Sequence, residues 1–171
     1  AAVYLAAAAL MAAQSWLRRR RLPGFGGYGP AYLWGCGALF VGYMYALYQA
    51  LGLATDRVQV LELGMLNYLW PSLTVLLSVV VLRRRTNWIL LPGTALALAG
   101  VLLVLSHEGV PSWGATRANL AANPLAYALA LAAGILWALY SVLTRRLSAQ
   151  AGEGSVFPFV LATGLLMLGL S

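Results

Sequence analysis

The residues best equipped for chemistry lie in one apolar stretch, residues 58–82. It opens Val58-Gln-Val-Leu-Glu-Leu-Gly-Met-Leu-Asn-Tyr-Leu-Trp-Pro-Ser-Leu-Thr and runs on, largely apolar, to Leu82. Its midpoint is Trp70, next to Pro71. Proline has no N–H to donate and collides with the carbonyl four residues back, here Asn67, at about 3 kcal/mol in an ordinary helix interior. A kink and a freed Asn67 carbonyl are therefore expected at the middle of the stretch. The Asn67 amide, the Tyr68 phenol and that carbonyl would give polar partners to a small molecule, and Trp70 would give it a flat apolar wall. Within a bilayer, irregular backbone of this kind survives only beside protein or a cavity, and carriers use it to hold substrate. Gly64, Asn67, Pro71, Thr74 and Ser78 fall on one helical stripe; for Gly64, Thr74 and Ser78 the competing reading is tight helix packing.

Glu62 is the only acid inside an apolar stretch, about one turn from its start. It could relay protons or bind a substrate amine, or it could be solvated at the mouth of the bundle or paired with Arg57. Of the nineteen aromatic residues, Tyr43, Tyr45, Tyr48, Tyr68, Trp70, Trp137 and Tyr140 lie deep in apolar stretches. Buried Tyr and Trp usually need hydrogen-bond partners that lipid cannot supply, so several of these side chains are expected to line a cavity. Gly134, Trp137, Tyr140, Ser141 and Thr144 share one helical face, and Tyr45, Tyr48, Gln49 and Gly52 share another. Such faces stack on flat rings and attract cations, at about 0.5–2 kcal/mol per contact; an aromatic core stripe is the alternative. Trp16, Trp34, Trp88, Tyr28 and Tyr32 lie near the ends of apolar stretches and are expected to form an interfacial belt. No phosphate loop, paired acids, His cluster or Ser-His arrangement appears, so neither enzyme nor cofactor is indicated. His107 reads as a solvated loop residue, and the single Cys36 excludes an internal disulfide or a cysteine zinc site.

The elements that must position these groups follow from composition. Of 171 residues, 62% are hydrophobic and 9% charged, with a mean hydropathy of +0.82. Soluble domains are nearer 25% charged, so the excess apolar surface must face lipid. Six stretches approach the length of a transmembrane helix: residues 1–17, 31–54, 58–82, 88–105, 124–144 and 155–170. The net charge of +7 comes from eleven arginines, no lysines and four acids. Nine of the arginines cluster as Arg18 to Arg21, Arg83 to Arg85, and Arg145 with Arg146, each cluster directly after an apolar stretch. This placement at every second connection fixes a cytoplasmic side and argues against nucleic acid as the partner. It puts Glu62 toward the outer face and starts the chain outside, and the unflanked first stretch and short last one are expected of a piece of a longer protein. The short links after residues 54 and 82 force antiparallel neighbours. The longest connection, residues 106–123, is expected outside as a mobile or interfacial flap.

The segment from Glu62 to Thr74, followed by Thr86-Asn87-Trp88, Pro92-Gly93, the Gly93-to-Gly100 pattern and the residues from Gly134 to Tyr140, closely resembles the YddG-type aromatic amino-acid exporters of the drug/metabolite transporter (EamA-like) superfamily. The likeness runs through nearly the whole chain, and Asn-Tyr-Leu-Trp-Pro is its most specific part. It implies an all-α inner-membrane protein of ten helices in two inverted five-helix repeats around a central cavity. Residues 1–105 would supply helices two to five, residues 106–123 an outer loop, and residues 124–171 the first two helices of the second repeat. It further implies outward transport of aromatic amino acids and related compounds by alternating access. Tyr45, Tyr48, Tyr68, Trp70, Trp137 and Tyr140 would then contact substrate, with Asn67 at its charged end. Carriers of multidrug cations or nucleotide sugars, and a non-transporting membrane scaffold, are the competing readings. One departure is Arg83-Arg84-Arg85, where many relatives carry a Gly-Glu-Arg-like turn.

Overall fold

The computed structural model describes residues 2–20, 29–82, 113–147 and 156–169, with residues 92, 93, 95, 96 and 99 between them. The regular structure among the described residues is helical throughout. Helix α1, Ala2–Arg19, ends where Arg20 turns to φ 53°. There the Arg20 amide reaches back to the Trp16 carbonyl at 2.8 Å, a left-handed cap that satisfies a terminal carbonyl. The same turn lays the Arg20 guanidinium 5.1 Å from the Trp16 ring. A π-helical turn, Ala31–Cys36, runs directly into α2, Gly37–Gly52. Its two ring residues face opposite ways: Tyr32 is 2% exposed and Trp34 is 81% exposed. Tyr32 is therefore a core residue, packed 5.4 Å from Phe159, and not part of the interfacial belt expected for it.

Asp56 begins α3, Arg57–Asn67, by accepting the Gln59 amide at 2.7 Å on its carboxylate, the usual way to satisfy an orphan donor of a first turn. Residues 68 and 69 form a turn, and α4, Trp70–Leu82, continues. The expected interruption is present, in a form other than a kinked continuous helix. Pro71 sits in the first turn of α4, where a missing N–H leaves nothing unsatisfied. Helix α5, Trp113–Ala122, occupies the second half of the connection expected to be a flap. Asn123 then precedes α6, Pro124–Leu147, and accepts the Ala126 amide at 3.4 Å. The last helix, α7, is Phe157–Gly169.

Helix α6 is the hub, packing on α2, α3 and α4, while α1 packs on α7 and α2 touches both α3 and α7. Ala126, Ala130, Ala133, Gly134 and Ala138 of α6 are buried, and side chains this small let neighbouring backbones come close. Two buried clusters result. One joins Tyr32, Cys36, Phe40, Tyr140, Phe159 and Val160; the other joins Ala50, Leu63, Ala126, Tyr127 and Ala130. Among the described residues, Arg57–Val79 and Pro124–Leu147 are long and apolar enough to cross a membrane, and Phe157–Gly169 is apolar but shorter. The stretch expected at residues 88–105 falls mostly outside the described residues; residues 92, 93, 95, 96 and 99 of it are helical.

Candidate functional site

The break between α3 and α4 faces the middle of α6. Their close approach is at Gly134, where a Cβ would lie 3.4 Å from the Asn67 carbonyl oxygen and 3.6 Å from that of Leu66, in ordinary contact with both. The turn is held by the Tyr68 amide on the Gly64 carbonyl at 3.0 Å and the Leu69 amide on the Leu66 carbonyl at 3.2 Å. The Asn67 carbonyl has no intrahelical donor to expect, since the residue four places on is Pro71. Among the described residues, the Asn67 side-chain oxygen is also buried without a hydrogen-bond partner. A buried acceptor left unmade costs about 1–3 kcal/mol, and a ligand donor would recover it.

One turn beyond Gly134 on α6, Trp137 is the centre of an aromatic cluster. Trp70 meets it edge-on with ring centroids 6.1 Å apart, Tyr43 lies at 4.6 Å, Tyr140 at 5.2 Å and Phe40 at 6.0 Å. Phe40 also touches Tyr140 at 5.3 Å and Phe159 at 6.0 Å. Tilted and edge-to-face contacts at these separations are each worth about 0.5–1.5 kcal/mol beyond area burial. The helix break and the densest aromatic cluster among the described residues therefore meet at Trp70 and Trp137.

Of the residues singled out by sequence, the structure brings Tyr43, Trp70, Trp137 and Tyr140 together, with Asn67 beside them on the α3 side. Tyr48 instead meets Tyr4 of α1, edge-on at 6.2 Å. Tyr45, Tyr48 and Tyr68 lie on the surface of the described bundle, Tyr68 with 55% of its area exposed. Thr74 and Ser78 return their hydroxyls to the carbonyls of Trp70 and Val75, both at 2.7 Å, so these hydroxyls support the helix backbone. Among the described residues nothing packs tightly at Gly64, where a Cβ would meet no atom within 4 Å. Ser141 likewise bonds the Trp137 carbonyl at 2.8 Å, and Thr144 reaches the Cys36 sulfur at 3.6 Å.

Glu62 is neither solvated nor held by Arg57. It is 4% exposed. One oxygen accepts from the Thr116 hydroxyl at 2.7 Å and the other from the Asn119 amide at 3.1 Å, with the Tyr127 hydroxyl also donating to the second. One turn earlier, the Gln59 side-chain oxygen accepts from the Thr55 amide at 2.9 Å and from Asn123 at 3.2 Å. Asn123 also donates to the Leu53 carbonyl at 2.7 Å. Sequence reasoning passed over this network. Its signal is the spacing of Thr116, Asn119 and Asn123 at i, i+3 and i+7, one polar helical face. Phe40 was missed because Phe carries no polar atom to mark it.

A family model described as the EamA-like transporter family matches residues 1–106. The aromatic amino acid exporter YddG of Salmonella typhimurium is 38% identical over 148 residues, covering 86% of this chain and 48% of that protein. Its namesake from Escherichia coli strain K12 is 38% identical over 133 residues, covering 78% of this chain and 45% of that protein. An exporter of the same name from Ancylobacter novellus is 33% identical over 140 residues. The chain thus spans about half the length of the curated relatives it matches. No solved structure gives a significant match.

Proposed function

The chain belongs to the EamA-like transporter family, and on that footing we propose that it is part of a bacterial inner-membrane carrier that exports aromatic amino acids and related small molecules. Transport runs by alternating access through an aromatic-lined cavity. The observation that carries the reading is the meeting of a helix break with an aromatic cluster: Asn67 and its unpaired oxygen stand on one side, Trp70 and Trp137 on the other. An aromatic ring stacks among Trp70, Trp137 and Tyr140, and an ammonium group donates to the Asn67 oxygen and the carbonyl that Pro71 leaves without a donor. These are the two ends of an aromatic amino acid. The relatives are named as exporters of the same substrate class.

The proposed whole is a ten-helix bundle of two inverted repeats, of which this chain supplies helices two to seven. Its arginine clusters face the cytoplasm. Tyr45, Tyr48 and Tyr68, exposed on the described bundle, turn toward the remaining helices across the cavity. No step requires bond-making chemistry, and the bilayer is the protein's obligatory partner.

The test uses the full-length protein in lipid vesicles and labelled tryptophan or phenylalanine. Saturable flux is expected, and Trp137→Ala should lower it by up to about tenfold, the loss of one ring contact to the substrate, with membrane insertion unchanged. Undiminished flux in an inserted Trp137→Ala protein would remove the cavity, and competition by quaternary amines or nucleotide sugars stronger than by amino acids would change the substrate class.

A further inference from the structure

The network around Glu62 lies away from the aromatic cluster, and the carrier reading makes no use of it. Glu62 projects from α3, inside the segment matched by the family model, whereas all three of its donors lie beyond it: Thr116 and Asn119 on α5, and Tyr127 on α6. Asn123, between α5 and α6, adds contacts to Gln59 of α3 and to the Leu53 carbonyl at the end of α2. Hydrogen bonds of this kind therefore tie α2 and α3 to the α5–α6 pair, at the end of α6 remote from Arg145 and Arg146. Glu62 and Gln59 are both buried, at 4% and 1% exposure, with Leu63, Ala126 and Ala130 packed alongside.

We propose that Glu62 is the hub of a latch that clasps the outer end of α3 to α5 and α6, and that the carrier opens this end by releasing it. A buried carboxylate is tolerated only while its oxygens are hydrogen-bonded. Closed, Glu62 is served by three neutral donors; parted from them it needs water, which can enter only when the helices have separated. Both extremes are satisfied and the dry, half-open arrangement is not, so the element has two stable positions. Thr116 and Asn119 matter because α5 is a short helix that Glu62 holds against the longer pair. Opening at one end is a carrier's motion, so the latch rests on the transport reading, while its release is measured without any substrate.

The measurement is thiol reactivity in the full-length protein in vesicles, with every native cysteine replaced by serine. Ala126→Cys, fully buried beside Leu63, reports on the latched end, and Val142→Cys, 1% exposed, reports on the opposite end of α6. Glu62→Ala should speed N-ethylmaleimide labelling at position 126 about tenfold, the equivalent of one charge-assisted hydrogen bond, and leave position 142 unchanged. Tyr127→Phe should speed it less, and the two changes together should do no more than Glu62→Ala alone. Labelling within twofold of the parent, additive effects, or an equal rise at both positions would overturn the latch. Should Glu62→Ala fail to reach the membrane, Glu62→Gln decides: faster labelling at 126 alone supports the latch, and parental labelling overturns it. Flux that loses its response to pH in Glu62→Gln at parental labelling would likewise overturn it and assign Glu62 to proton movement.

Discussion

Asn67 meets three constraints at once. Pro71 deprives its carbonyl of a helical donor, its side-chain oxygen is buried without a partner among the described residues, and α6 approaches that carbonyl at Gly134. The last is the easiest to test, since a Cβ at Gly134 would stand 3.4 Å from a backbone oxygen that cannot rotate aside as a side chain would. A single methyl group at that distance makes an ordinary contact, so Gly134→Ala should leave stability within about 0.5 kcal/mol, as do most changes that create neither void nor clash. The branched Gly134→Val adds atoms with no room and should cost about 1–3 kcal/mol, the range for overpacking. Melting of the purified full-length protein in detergent checks both, and a Val variant as stable as the parent would mean that α3 and α6 are not in this contact.

The α3–α4 junction shows what the sequence could and could not reveal about elements. The position of the break was legible because Pro71 forbids one particular hydrogen bond and clashes with one particular carbonyl, both fixed by spacing alone. Its form was not legible, since the chain relieves the clash by ending one helix at Asn67 and starting another at Trp70, which places Pro71 where its missing N–H costs nothing. Pro71→Ala should therefore barely alter stability, by less than about 1 kcal/mol, in contrast to the roughly 3 kcal/mol a mid-helix proline would return. It does supply an N–H to the Asn67 carbonyl and allows α3 and α4 to merge, so initial export rates should fall several-fold at unchanged melting temperature. A variant that gains about 3 kcal/mol and exports normally would place Pro71 in a strained helix interior. The same division explains the other outcomes. Position along a stretch does not tell azimuth around the helix: Trp34 is exposed and Tyr32, two residues away, points inward. Glu62 could be recognised as exceptional, but its donors are 54, 57 and 65 residues distant in the chain, and no local pattern announces a partner so far away.

At the scale of the whole molecule, the bundle is organised around α6, whose inward face sets small side chains, Ala126, Ala130, Ala133, Gly134 and Ala138, among the larger buried Tyr127, Tyr140 and Val142. At the small positions the logic differs from that of a soluble core. Between helices in lipid there is little hydrophobic drive, because acyl chains are as apolar as leucine, and association depends on close van der Waals fit. Enlarging the inward face should therefore be harmful even with an apolar residue, and shrinking the outward face should be nearly harmless. Ala130, fully buried in contact with the α3 side, and Leu131, its exposed neighbour on α6, make the pair to compare. Ala130→Leu should lower the stability of the full-length protein in lipid by about 1–3 kcal/mol, since three extra carbons must force α6 from its neighbours. Leu131→Ala exchanges a contact with lipid for one slightly smaller and should change stability by less than about 0.5 kcal/mol, far below the 2–5 kcal/mol that leucine truncation costs in a packed interior. Chemical denaturation in bicelles or nanodiscs measures both. The opposite ranking, with Leu131→Ala the costlier change, would mean that the outward face of α6 is covered by protein and that the hub has been drawn on the wrong side of the helix.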